Sequence, residues 1–162
     1  MKKSTTQFVV YGGLIAALYV VLTLVSQMLG LASGVIQVRL SESLCMLPCL
    51  TSAAVPGLSI GCMIANFVIG SPWQDVLFGT LATVIGAIGT WMMRKKQQWS
   101  WIPPVVSNAV IVPFVLIYAY NVPDAWWFLF LTVGAGEMIA CGLIGLYVYP
   151  LAQRAIESHK NF

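Results

Sequence analysis

Residues 36–70, IQVRLSESLCMLPCLTSAAVPGLSIGCMIANFVIG, decide the fold. The stretch is apolar for most of its length but is interrupted by Arg39, Glu42 and Pro48, and then by the turn signal Pro56-Gly57. A hydrocarbon core of about 30 Å needs roughly 20 apolar residues per helix. Read as one crossing the stretch is too long; read as two, its second half is short. Charge outside it decides between the two. Lys2 and Lys3 precede the first apolar run, Arg94, Lys95 and Lys96 follow a later one, and Arg154 and Lys160 follow the last. The positive-inside rule puts all three basic clusters in the cytoplasm, so an even number of crossings must separate each pair. Four crossings and then two satisfy this, and 36–70 is therefore two crossings.

Working outward, the expected spans are about 8–29, 36–55, 57–70, 76–93, 102–120 and 126–149. This makes an all-α, polytopic membrane protein: a six-helix transmembrane bundle in one domain over 1–162, with both termini cytoplasmic. Ser71-Pro72 marks a turn, and Pro103-Pro104 sits where a helix starts, a place that tolerates proline. Trp99, Trp101, Trp126, Trp127, Tyr118 and Tyr120 fall at span ends, as interfacial aromatics do. The chain is 59% hydrophobic and 8% charged, with a mean hydropathy of +0.88. A soluble domain carries about 25% charged residues, so lipid must cover most of this surface. The net charge of +3 is gathered at span ends and is no sign of nucleic-acid binding. The first apolar run is longer than the roughly 7–15 residues of a signal-peptide core, so no cleavage is expected.

Ionisable groups inside a membrane are costly and are functional candidates by default. Glu137 is the clearest, about twelve residues into the last span and flanked by Gly134 and Gly136. Arg39 and Glu42 are three apart; on a helix they share a face and can simply pair. Asn66 and Asn108 lie within spans, where an amide either meets a ligand or bonds a neighbouring helix. Asp75 stands at the outer start of the fourth span, where a helix N-terminus alone can account for it. Trp73 beside it is either belt or stacking platform. Small residues at helical spacing, among them Gly12/Ala16, Gly13/Ala17 and Gly57/Gly61/Ala65, allow close helix approach.

Other chemistries have no visible machinery. The sequence contains no GxxxxGK[ST] phosphate loop, no HExxH and no GxSxG. Cys45, Cys49, Cys62 and Cys141 read as small buried side chains, and the histidine, His159, lies in the polar tail. No metal and no cofactor are expected. A small polytopic chain with a polar pocket and no motor reads as a binding or transport subunit.

Particular stretches sharpen this. Ile36-Gln37-Val38-Arg39-Leu40-Ser41-Glu42, then Val55-Pro56-Gly57-Leu58 through Gly61-Cys62-Met63-Ile64-Ala65-Asn66, then Asp75-Val76-Leu77-Phe78-Gly79-Thr80-Leu81-Ala82-Thr83, and the segment from Asn108 to Pro113 resemble the QueT family. Its members are substrate-binding S components of energy-coupling factor (ECF) transporters. The resemblance implies a six-helix S component that captures a queuosine precursor or salvage product, a deazaguanine base or nucleoside, outside the cell. It also implies an EcfT-like transmembrane scaffold and two cytoplasmic ATPases as partners. Small residues on the first helix form the docking face in such subunits, and Gly12, Gly13, Ala16 and Ala17 look like that feature. Glu137, Asn66, Glu42, Arg39, Asp75, Asn108 and Trp73 are the expected substrate-binding residues, with the loop from Gly30 to Ile36 as a lid. A deazaguanine presents ring N–H and amino donors on one edge, which a carboxylate accepts in a bidentate way.

Two rival readings stand beside this one. A membrane enzyme using Glu137 and Asp75 as acid and base would turn over a substrate without any partner. A structural subunit whose polar residues only hold helices together would bind no small solute.

Overall fold

The computed structural model describes residues 5–32 and 36–158. Among them there is no strand. Helix α1 spans Thr5–Met28, α2 Ala54–Val68, α3 Trp73–Met92 and α4 Ile102–Ala119. Helix α5, Trp126–Glu137, passes through a π-helical segment, Met138–Ile144, into α6, Gly145–Ser158. Four stretches are long and apolar enough to cross a membrane: Thr5–Met28, Trp73–Met92, Gln97–Ala119 and Trp126–Ser158. Helix α2 is apolar but shorter. Large apolar side chains such as Val9, Leu18, Phe67, Leu77 and Leu143 point outward. In a chain of this composition that outer face meets lipid. The protein is a helical, multi-pass membrane protein.

The expected second span, 36–55, is corrected. Its core is a ten-residue 3-10 helix, Leu40–Cys49, preceded by extended backbone at Arg39. The residues explain this. Pro48 has no N–H to give an α-helical bond, and Ser43 turns its hydroxyl back onto the Leu40 carbonyl at 2.7 Å. A 3-10 helix rises about 2.0 Å per residue against 1.5 Å for an α-helix, so ten residues cover about 20 Å. Residues Ser41 to Pro48 are all buried, and this segment is the axis of the bundle. It packs against α1, α2, α3, the π segment and α6.

Around that axis the helices meet through small residues. A Cβ at Gly57 would stand 2.8 Å from the Gly12 carbonyl, and one at Gly61 would stand 3.0 Å from Ala16 Cα. Helices α1 and α2 therefore approach backbone to backbone, as small-xxx-small stripes permit. Gly12 and Ala16 face α2 of the same chain, whereas Gly13 and Ala17 are exposed and a Cβ at Gly13 would meet nothing within 4 Å. Gly30 and Gly70, at φ of +69° and +75°, end α1 and α2. In each case the glycine N–H bonds three residues back and the next N–H five residues back, the Schellman pattern that satisfies terminal carbonyls.

The two ends of the bundle differ in what they gather. At one end the start of α1, the turn at Thr51 and the close of α6 line a common groove; Cys49, Gln97 and Gln153 meet beside it. The basic residues Arg94, Lys95 and Lys96 belong to this end. At the other end the close of α1, Arg39, Ser71 and Tyr120 come together.

Candidate functional site

The site lies at the end opposite the basic clusters and is built around the central 3-10 helix. A cavity of about 310 Å³ opens there, lined among others by Thr23, Ser26, Gln37, Arg39, Ser71 and Tyr120. Arg39 occupies the last extended residue before the 3-10 helix, so its side chain is free of the helix face. It pairs with Asp75 rather than with Glu42, at 3.9 Å from Oδ2. The local i,i+3 pairing expected for Arg39 and Glu42 fails because Arg39 is not helical.

Asp75 is not at a wet helix end. It sits in the first turn of α3 but is 2% exposed. The Tyr120 hydroxyl donates to its Oδ2 at 2.7 Å and lies 3.2 Å from Ser71 Oγ. Its Oδ1 has no hydrogen-bond partner among the described residues. Asn66 donates from Nδ2 to the Asp75 carbonyl at 3.3 Å and thereby ties α2 to α3. Gly79 makes room for both groups: a Cβ there would stand 2.9 Å from Asp75 Oδ1 and 3.1 Å from Asn66 Nδ2.

Glu42 lies three residues deeper along the 3-10 helix and is 2% exposed. Its acceptors are occupied. The Tyr19 hydroxyl donates to Oε1, and the Cys45 thiol donates to Oε2 at 2.7 Å. Glu137 closes α5 just before the π segment. It is buried, and its hydrogen bond within the described chain comes from the Cys141 thiol at 3.6 Å, a weak donor. Glu137 lies within electrostatic range of Glu42, Arg39 and Asn108. The Asn108 amide is close to it, yet its Nδ2 is buried without a hydrogen-bond partner. A Cβ on Gly136 would overlap the Gln37 carbonyl, so the glycine before Glu137 lets the entering chain pass over α5.

Of the expected site residues Arg39 lines the cavity, and Glu42, Asp75, Asn66, Asn108 and Glu137 are buried in the bundle interior, with Glu137 in electrostatic range of Arg39, Glu42 and Asn108. Trp73 is the first residue of α3 and 68% exposed, and it stands outside the cavity lining. Ser33 and Gly34 of the expected lid lie outside the described residues. Sequence reasoning missed Tyr19, Tyr120, Cys45 and Cys141. Tyr19 had a signal, since Ile15, Tyr19, Thr23 and Ser26 form a buried stripe along an otherwise lipid-facing helix. Tyr120 looked like an interfacial aromatic. Cys45 and Cys141 stand three and four residues after Glu42 and Glu137, a spacing visible in the sequence, but the approach of Cys141 to the Glu42 carbonyl joins residues 99 apart.

Chemically, the assembly is rich in acceptors. Three buried carboxylates share one arginine, and an unpartnered acceptor oxygen and an unpartnered amide donor remain. Buried charge is costly unless it is paired and hydrogen-bonded, so this end of the bundle is suited to a solute with several donors or a positive charge.

The model of the QueT transporter family matches residues 9–154. The chain belongs to the QueT transporter family. A curated relative, the queuosine precursor transporter QueT of Lactococcus lactis subsp. cremoris (strain MG1363), is 36% identical over 103 residues. That match spans 62% of this chain and 60% of the relative. No solved structure matches the chain. Membership of the QueT family makes this a transporter-family protein rather than an enzyme.

Proposed function

We propose that this chain is the substrate-binding S component for ATP-driven uptake of a queuosine precursor, a deazaguanine base or nucleoside, working with an ECF module. The observation that carries the reading is the donor-hungry pair at the heart of the site. Glu137 is a buried carboxylate held by one weak thiol donor, and Asn108 beside it has an unpartnered amide donor. A deazaguanine complements both: its N–H and amino edge donates to the carboxylate, and its carbonyl accepts from the amide. An aminomethyl substituent adds an ammonium, which the excess of carboxylates over Arg39 accommodates. Glu42, Asp75 and Asn66 hold the surrounding walls, and the Arg39–Asp75–Tyr120 group forms the roof between the cavity and the carboxylates.

The same reading assigns the topology. The basic end faces the cytoplasm, where an EcfT-like scaffold and two ATPases supply the energy that this chain has no phosphate loop to supply. The cavity end faces outside. Gly13 and Ala17 on the exposed side of α1 offer the surface for helix approach by the scaffold.

Native mass spectrometry or calorimetry of the purified chain with a panel of purines and deazapurines tests the reading. A deazaguanine should bind with one-to-one stoichiometry while adenine does not. Failure of every deazaguanine to bind the folded protein overturns it. So does concentrative, ATP-driven uptake by this chain reconstituted alone.

A further inference from the structure

The two site glutamates each come with a cysteine. Glu42 and Cys45 are three apart on the 3-10 helix, where side chains at i and i+3 eclipse. Glu137 and Cys141 are four apart across the junction of α5 with the π segment. The bundle then sets these two pairs face to face. The ligand atoms of Glu42, Cys45 and Cys141 all lie within 4.8 Å of one another, and all three residues are buried. Cys45 Sγ is 2.7 Å from Glu42 Oε2, and Cys141 Sγ is 3.6 Å from Glu137 Oε2 and 3.1 Å from the Glu42 carbonyl.

From this geometry we infer a metal site: Cys45, Cys141, Glu42 and Glu137 together bind one divalent cation of the zinc type. Zn–S bonds of about 2.3 Å and Zn–O bonds of about 2.0–2.2 Å set the ligand atoms of a tetrahedron roughly 3.3–3.8 Å apart. Glu42, Cys45 and Cys141 present ligand atoms within 4.8 Å of one another, and Glu137 Oε2 stands 3.6 Å from Cys141 Sγ, so opening the 2.7 Å Cys45–Glu42 contact and rotating Glu137 toward the other three complete the shell. Two thiolates select zinc, cadmium and similar borderline or soft cations over magnesium and calcium. An outer shell is present as well, since the Tyr19 hydroxyl on Glu42 Oε1 fixes the orientation of that carboxylate. Each thiol releases its proton to the medium when the cation binds. The site shares Glu42 and Glu137 with the proposed solute site, so a zinc-type cation and the solute exclude one another. The metal site itself does not rest on the solute reading. It reverses the expectation of no metal, which assumed that the four cysteines and the carboxylates are scattered.

The test uses the full chain in detergent, titrated with cadmium chloride and followed by the ultraviolet thiolate-to-cadmium charge-transfer band. The parent should take up one cadmium per chain, and zinc should displace it. The C49A/C62A variant, which keeps only the two site thiols, should show the full band. C45S and C141S should each retain about half, because one of two thiolates remains, and the C45S/C141S variant should show none. A parent that gives no band, a band lost in C49A/C62A, or a band kept in C45S/C141S overturns the proposal. The C49A/C62A arm leaves the site intact, so it decides the matter even if the serine variants do not fold. Adding a deazaguanine to the cadmium-loaded parent should abolish the band. If cadmium binds and no deazaguanine displaces it, the metal site stands and the solute reading fails.

Discussion

The two ends of the bundle are built on opposite principles. At the basic end α3 and α4 close on each other through Gly86 and Gly89 against Pro103 and Pro104, with a Cβ at Gly86 only 2.7 Å from Pro104 Cα. The Thr90 hydroxyl donates to the Ser100 carbonyl at 2.7 Å across the same contact, and the Ser100 hydroxyl donates to the Gln97 carbonyl at 2.7 Å. At the cavity end the close of α1, the close of α4 and the segments around Arg39 and Ser71 hold apart a space of about 310 Å³, and Asp75 Oδ1 and Asn108 Nδ2 are unpartnered among the described residues. The α3–α4 contact at one end is close-packed; the other end is polar and incomplete. Stability should therefore be concentrated at the first end and solute binding at the second. Substitutions at each end can be used to separate them.

The largest effect is expected from Gly86→Val. In a free helix, replacing glycine is favourable by up to about 1 kcal/mol. Here the added carbons meet the Pro104 backbone and Ser107 Oγ, which cannot swing aside as a flexible side chain would. Overpacking of this kind costs about 3 kcal/mol at the upper end of its usual range. The melting temperature in detergent should drop sharply. A variant that melts with the parent would show that the basic end is not the rigid one.

Next comes Glu137→Gln, which keeps the size and turns one acceptor into a donor facing the ligand's own donors. Losing a charged hydrogen-bond partner costs about 1.5–3 kcal/mol, roughly a tenfold to hundredfold loss of affinity for a deazaguanine. The ligand-free melting temperature should change little, because the weak Cys141 thiol contact and the neighbouring Asn108 side chain still find an acceptor in the glutamine oxygen. Unchanged affinity would make Glu137 a structural carboxylate and move the solute to the Arg39–Asp75 group.

What was legible in the sequence follows from what hydropathy measures. Long apolar runs located α1, α3 and α4 to within a few residues and the start of α5, but not the π segment or the continuation to Ser158, and a lone charge in such a run singled out Glu137. The central segment was harder. Hydropathy counts apolar residues and assumes 1.5 Å of rise for each, so it cannot distinguish ten residues of 3-10 helix from a longer α-helical span. Pro48 and the serines were visible as interruptions, but their consequence depended on burial at the axis. The pairing of Arg39 with Asp75, and of the two Glu–Cys pairs with each other, is set by helix contacts between distant parts of the chain. Local spacing suggested Arg39 with Glu42, and local spacing was misleading there.

A smaller effect is expected at the roof of the site. Asp75→Asn removes one charge from a long, 3.9 Å ion pair whose arginine is one-fifth exposed, and water screens such a pair. The Tyr120 hydroxyl keeps an acceptor in the asparagine oxygen. Affinity should fall by less than about tenfold, or about 1.4 kcal/mol, clearly less than for Glu137→Gln. A larger loss than at Glu137 would invert the proposed depth order and make the roof the main anchor.

The smallest effect on binding and stability is expected from Gly13→Leu, and it tests the comparison from outside the site. Gly12 and Gly13 are adjacent in sequence and lie on different sides of α1. Gly12 meets Gly57 through its own carbonyl, and a Cβ on Gly12 would touch the Ala53 carbonyl at 3.4 Å. Around Gly13 a Cβ meets nothing within 4 Å, so a leucine only extends into the lipid. In the purified chain Gly13→Leu should bind a deazaguanine and melt as the parent does, and replacing a helical glycine even adds a little stability. In membranes that also hold the scaffold and ATPases, the same leucine would keep a partner helix from approaching α1 closely, and uptake should fall. Loss of binding together with uptake would mean that the exposed side of α1 supports the fold; intact uptake would remove Gly13 from the docking surface and leave the two ends of the bundle as the parts that matter.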